Sequence, residues 1–112
     1  MNSNQIFNMA QTICGETAYE MYWEWKKTGA LYDRKFQKVL EKMRKDGIKD
    51  IAGAFGDYLW NDEGTLEDVL GDRIYEAGKN HDERIQIVKE LSEKMNFPAW
   101  NKVMKKFLSQ KW

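Results

Sequence analysis

Two side chains in this chain could ligate a soft metal, His81 and Cys14, and they lie far apart in the sequence. A zinc site needs three or four Cys, His or carboxylate ligands at short, regular spacings, so no zinc and no other cofactor is expected. His81 falls in Asn80-His81-Asp82-Glu83, a polar helix start where a turn role suffices. The acidic run from Asp57 to Asp68 suggests calcium. With Gly64 as the sixth position of an EF-hand loop, however, Leu59 takes the first ligand position and Asn61 the third, and the oxygens fall out of register. Ser3, Ser92 and Ser109 have neither a glycine-rich elbow nor a partner histidine, and no G-x-x-x-x-G-K-[ST] loop is present to cradle a phosphate. No catalytic residue is assigned, and the chain is read as non-enzymatic.

Residues that could bind a macromolecule are better represented. The formal net charge is zero, but the charges are sorted. Between Asp57 and Glu76 the net charge is −6, with Asp62, Glu63, Glu67, Asp68 and Asp72 forming an acidic candidate surface; between Lys26 and Lys49 it is +6. Segregated charge points to a partner surface or to pairing between segments. Lys35, Lys38, Lys42, Lys45 and Lys49 step by three and four residues, so they form one cationic stripe. Such a stripe can follow a phosphate backbone in a salt-sensitive way, and it is also what the solvated face of an amphipathic helix looks like. Asp50-Ile51-Ala52-Gly53-Ala54-Phe55-Gly56 resembles the first helix and turn of a helix-turn-helix, but the reading helix that should follow is replaced by the acidic Asp57-to-Glu63 run.

Aromatic residues give the third candidate surface. Cys14, Ala18, Met21 and Trp25 make one apolar line, Gly15, Tyr19, Tyr22, Trp23 and Lys26 a second beside it, and Glu16, Glu20 and Glu24 confine the polar side to a narrow strip. That apolar arc is wider than a single surface helix needs. Either the helix is central to a bundle or Tyr19 and Trp23 anchor another chain, since Tyr and Trp often dominate interface energy.

The elements that must position these groups read as helices throughout. Apolar residues recur at three- and four-residue steps from Asn4 to Lys27, with Gly15 a point where that helix could kink or split. Asp33 caps a second helix that ends at Asp46-Gly47, and a third spans about Ile48 to Trp60. Thr65-Leu66-Glu67-Asp68 resembles a capping box, so a fourth is expected from about Leu66 to Gly78. Asp82 is expected to cap a fifth, and Pro98 to open a sixth that could run to Trp112. The core is expected at Val39, Leu40, Ile51, Phe55, Val69, Leu70, Val88, Leu91, Val103 and Phe107. No segment alternates like a strand, so the fold class is all-α: one domain over residues 1 to 112, a compact bundle of five or six short to medium helices.

A single cysteine and the absence of a long apolar run place the protein in a reducing, cytoplasmic setting with no membrane partner. Frequent Lys, Asn and Ile with little Pro fit an AT-rich genome such as that of a low-GC bacterium or a phage. The expected function is a small protein-binding module, such as a stoichiometric inhibitor or accessory factor of phage or mobile-element origin. A nucleic-acid-binding accessory protein using the lysine stripe is the alternative, followed by a small enzyme or ligand carrier with an unrecognised site. A second copy of the chain is also an admissible partner.

Overall fold

Local chemistry decides where each helix begins. The computed structural model describes residues 1 to 112 and contains six α-helices and no strand: α1 Ser3–Thr28, α2 Arg34–Lys45, α3 Ile51–Trp60, α4 Glu63–Ala77, α5 His81–Ser92 and α6 Pro98–Ser109. At five of the six starts a short polar side chain accepts from an otherwise free helical N–H, the role that favours Asp and Asn there. Asn2 and Gln5 form a reciprocal capping box at 2.9 and 2.8 Å. The sixth start needs no such acceptor, because Pro98 occupies the first turn and has no N–H to satisfy. Gly29 ends α1 at φ 76° with its N–H on the Trp25 carbonyl at 2.7 Å, a left-handed conformation suited to glycine.

Four boundaries differ from the sequence reading, each for a stated reason. α3 begins at Ile51 rather than Ile48, because the Asp50 carboxylate caps the Gly53 N–H at 3.0 Å; Ile48 is left outside and 38% exposed. α4 begins at Glu63, not near Leu66. Asp62 accepts from both the N–H and the hydroxyl of Thr65, at 3.1 and 2.8 Å, so Thr65 lies inside the first turn instead of capping it. In α5 the cap is Asn80, which accepts from the Glu83 N–H at 3.0 Å, and Asp82 is a first-turn residue. α6 stops at Ser109; Trp112 folds back so that its indole N–H donates to the Phe107 carbonyl at 3.0 Å. α1 passes through Gly15 without a break.

The core is one cluster of 19 buried residues. α1 contributes Ile6, Ala10, Cys14, Ala18 and Trp25, spaced along one helical face, and it packs against α3, α4 and α5. α6 packs against α4 and α5, while α2 lies on α3. Trp100 is fully buried, its ring N–H donating to the Leu91 carbonyl at 3.1 Å, with Phe7, Trp60 and Phe97 around it at centroid distances of 5.5 to 6.0 Å. Of the expected core, Val39 and Ile51 are only half-buried because they flank the cluster instead of entering it; the other eight are buried. No helix is long and apolar enough to cross a membrane.

α3 runs antiparallel to α1. Phe7 meets Trp60 at 5.7 Å near one end of the pair, and further along α1 the Gly15 and Ala18 backbone region meets Gly56. A Cβ placed at Gly56 would lie 3.8 Å from Ala18 Cβ and 4.0 Å from Gly15 Cα, so small residues set how closely the two helices approach.

Candidate functional site

The acidic candidate surface is largely answered by lysines of the same chain. Lys35 Nζ of α2 lies 2.6 Å from Asp62 Oδ1, Lys102 of α6 lies 3.3 Å from Glu63, and Lys106 of α6 lies 2.8 Å from Glu67. The side chain of Asp62 is only 10% exposed, since it also caps α4. Burial by itself pushes this carboxyl up, but donation from Lys35 and from the Thr65 hydroxyl and N–H outweighs it and holds the group below the usual aspartate value. The hydrogen bond to Asp62 raises Lys35 in turn. Asp68 and Asp72 are exposed and make no ion pair.

All five lysines of the basic stripe are exposed on α2 and the segment after it. Two are engaged: Lys35 with Asp62, and Lys42 with Asp46 at 2.8 Å, an i,i+4 pair within the stripe's own stretch. Lys38, Lys45 and Lys49 are left facing solvent without an ion pair.

Tyr19 and Trp23 stand apart from both charged surfaces. They are 58% and 43% exposed, and their rings meet edge to face at 6.0 Å. Trp23 also contacts Tyr22 edge to face at 5.5 Å, and Tyr22 leans on buried Trp25 at 6.2 Å. Arg44 of α2 covers the same Trp25 ring from 4.8 Å. The exposed rings are thus braced by a ladder of aromatics that reaches the core, which lowers the side-chain entropy lost when such rings bind something.

Two hollows meet at Tyr19. One, of about 380 Å³, lies between α1 and α3 and is lined by Gln11, Cys14, Gly15, Tyr19, Ala52, Gly53, Gly56, Asp57 and Trp60. The other, of about 530 Å³, is shallow and runs along Tyr19, Glu20, Trp23, Glu24, Lys27 and Thr28. Tyr19 is the one residue that lines both, so the two hollows are neighbours on the α1 surface. A Cβ at Gly15 would meet nothing within 4 Å, which leaves the floor of the first hollow open. Burial raises the Cys14 thiol beneath it, so this sulfur is held as the unreactive thiol. Glu16, Glu20 and Glu24 on α1 and Asp57 on α3 are exposed and make no ion pair.

The sequence reading named Tyr19 and Trp23 but missed the α3 side of this surface. In the sequence, Ala52, Gly53 and Gly56 resemble half of a helix-turn-helix that lacks its reading helix, and Asp57 belongs to the acidic run. The small residues at three- and four-residue spacing were the available signal, since they mark a helix face that another backbone approaches. No group of three or more His, Cys, Asp or Glu converges anywhere to hold a metal ion. His81 is the exposed first residue of α5. Comparison with known protein families, with curated proteins and with solved structures finds no match.

Proposed function

We propose that this chain is a non-enzymatic protein-binding module whose working surface is the aromatic end of α1, acting stoichiometrically as an inhibitor or accessory factor in the cytoplasm. One observation carries the reading. Tyr19 and Trp23 are exposed side by side and braced from behind, whereas the other exposed aromatics, Tyr32 and Tyr75, pair with no other ring, in a fold that buries or half-buries most of its large apolar side chains. Large, rigid, amphipathic rings of this kind are what interfaces use as anchors.

The charged candidates support a working role less well. Asp62, Glu63 and Glu67 already have lysine partners, and Lys35 and Lys42 already have carboxylates, so both surfaces present less net charge than the sequence suggests. A catalytic or carrier reading would gain from a carboxylate of shifted acidity in the hollow. The shifted carboxyl, Asp62, is not among the residues that line it.

Affinity capture from the native host tests the reading when the unmodified chain is compared with a Tyr19→Ala/Trp23→Ala double variant of unchanged helical signal. A partner retained by the first and lost by the second is expected. A partner held equally by both would overturn the proposal, and its loss instead on reversing Lys38, Lys45 and Lys49 to Glu would transfer the function to the basic stripe.

A further inference from the structure

We infer that the α1–α3 face is built for one class of occupant, a lysine- or arginine-rich amphipathic helix of a partner protein; this rests on the docking role of Tyr19 and Trp23 given above. The argument is charge complementarity. Glu16, Glu20 and Glu24 follow one another at i, i+4 and i+8 on α1, an arrangement in which like charges repel and cost helix stability. At the start of α4 the crowded acids Asp62, Glu63 and Glu67 are each answered by a lysine from another helix. On α1 Lys27 lines the same shallow hollow as Glu20 and Glu24 but forms an ion pair with none of the three glutamates, and Asp57 adds a fourth unpaired carboxylate on α3. Cations arriving with a partner would relieve that repulsion, whereas an acidic partner would deepen it.

Shape favours a helix over an extended strand. The first hollow is a trough between two antiparallel helices, open above Gly15, and the second is a shallow surface of α1 beyond Tyr19 that reaches Trp23; both helices are paired along their length by their own backbone hydrogen bonds and offer no sheet edge. An amphipathic helix laid in such a trough presents apolar side chains at i, i+3 or i+4 and i+7 to the floor and its flanking charges to the rims. One apolar side chain would enter above Gly15, the next would pack on Tyr19 and Trp23, and the flanking cations would face Glu16, Glu20, Glu24 and Asp57.

Two short amidated peptides with the same amphipathic order of leucines serve as probes, one with lysine and one with glutamate at every polar position. Each is titrated into the intact isotope-labelled chain and followed by amide shifts. The lysine peptide is expected to move signals of α1 and α3 around Gly15, Tyr19, Trp23 and Gly56, to bind at least about tenfold more tightly than the glutamate peptide, and to weaken as salt is raised. Reversing Glu16, Glu20 and Glu24 to Lys should invert that preference. Gly15→Leu, whose Cβ would meet nothing within 4 Å, should weaken the lysine peptide while the helical signal is kept. If both peptides bind alike and both are lost in Tyr19→Ala/Trp23→Ala, the charge inference falls while the docking surface stands. If the lysine peptide binds that double variant as well as the unmodified chain, the docking surface falls too. If neither peptide shifts a residue of α1 or α3, the inference is overturned and the capture experiment alone decides the function.

Discussion

The acidic ridge of α4 and the acidic line of α1 carry similar charge yet end in opposite states. On α4, Asp62, Glu63 and Glu67 are drawn to Lys35, Lys102 and Lys106 from two other helices, so the ridge works as a seam that ties α2 and α6 to α4. On α1, Glu16, Glu20 and Glu24 have no such partners and lie beside exposed aromatic rings. The lesson concerns charge segregation in a sequence. In the most acidic segment the fold pairs Asp62, Glu63 and Glu67 with lysines, whereas none of the three glutamates in the less conspicuous line among aromatics is paired.

The sharpest way to break this comparison is to ask which surface the fold needs. Leu91→Ala or Phe107→Ala, in the core beneath α4 and α6, should cost about 2 to 5 kcal/mol, because a truncated buried side chain loses both its transfer energy and its packing. Tyr19→Ala and Trp23→Ala should each cost less than about 1 kcal/mol, since half-exposed rings lose mainly an edge contact. Urea unfolding followed by circular dichroism checks both. A cost at Tyr19 or Trp23 equal to that at Leu91 would make them structural residues and remove the case for an interface.

Asp62 provides the next largest effect and marks the ridge as structural. Asp62→Ala removes a helix cap and the Lys35 pair together and should cost about 1 to 2 kcal/mol. The pair also gives stability a pH dependence of known sign. A carboxyl held below its ordinary value contributes above that value, 3.8, and its contribution disappears as pH falls through the lowered one. Lys35, held above its ordinary 10.5, contributes below that value and loses its contribution as pH rises through the raised one. Asp62→Asn keeps a capping oxygen but removes the charge, so its stability should fall less steeply on acidification than that of the unmodified chain. Equal slopes would mean the Asp62 charge does nothing for the fold.

What the sequence made legible follows from range. Helix stops at Asp46-Gly47 and Gly78, and the opening proline of α6, depend on neighbours within one turn and were readable. The choice between competing caps was not: Asp62 wins over Thr65 where Lys35, from a different helix, fixes its carboxylate, and Asn80 wins over Asp82 because its oxygen meets the Glu83 N–H. For the candidate surface, Tyr19, Trp23 and the line of glutamates were readable from the helical period. That Gly15 lies against Gly56, and that Asp57 shares the hollow with Tyr19, depends on a pairing of α1 with α3 that periodicity does not carry.

Gly15 yields a smaller effect of opposite sign. With nothing within 4 Å of its Cβ position and a helical backbone, Gly15→Ala should stabilise the chain by about 0.4 to 1 kcal/mol, chiefly by restricting the unfolded state. A destabilised variant on thermal unfolding would show that α1 needs the glycine for close packing, and the floor of the hollow would then be closed.

The smallest effect separates the two regions most directly. Lys106 and Glu67 lie 2.8 Å apart but remain partly solvent-exposed, so a double-mutant cycle with Lys106→Ala and Glu67→Ala should give a coupling of only about 0.2 to 1 kcal/mol, and raised salt should shrink it. The sign identifies the seam: the double variant should be less damaged than the two single variants added together. On α1 the cycle between Glu16 and Glu20 should give a coupling of opposite sign, because removing either acid relieves the other and single variants should each gain a few tenths of a kcal/mol. The same cycle repeated with the lysine peptide bound should lose that gain, since the partner's cations then satisfy both carboxylates. If Glu16 and Glu20 instead couple favourably in the free chain, the line of glutamates is already answered within the fold, and the difference between the two acidic regions disappears.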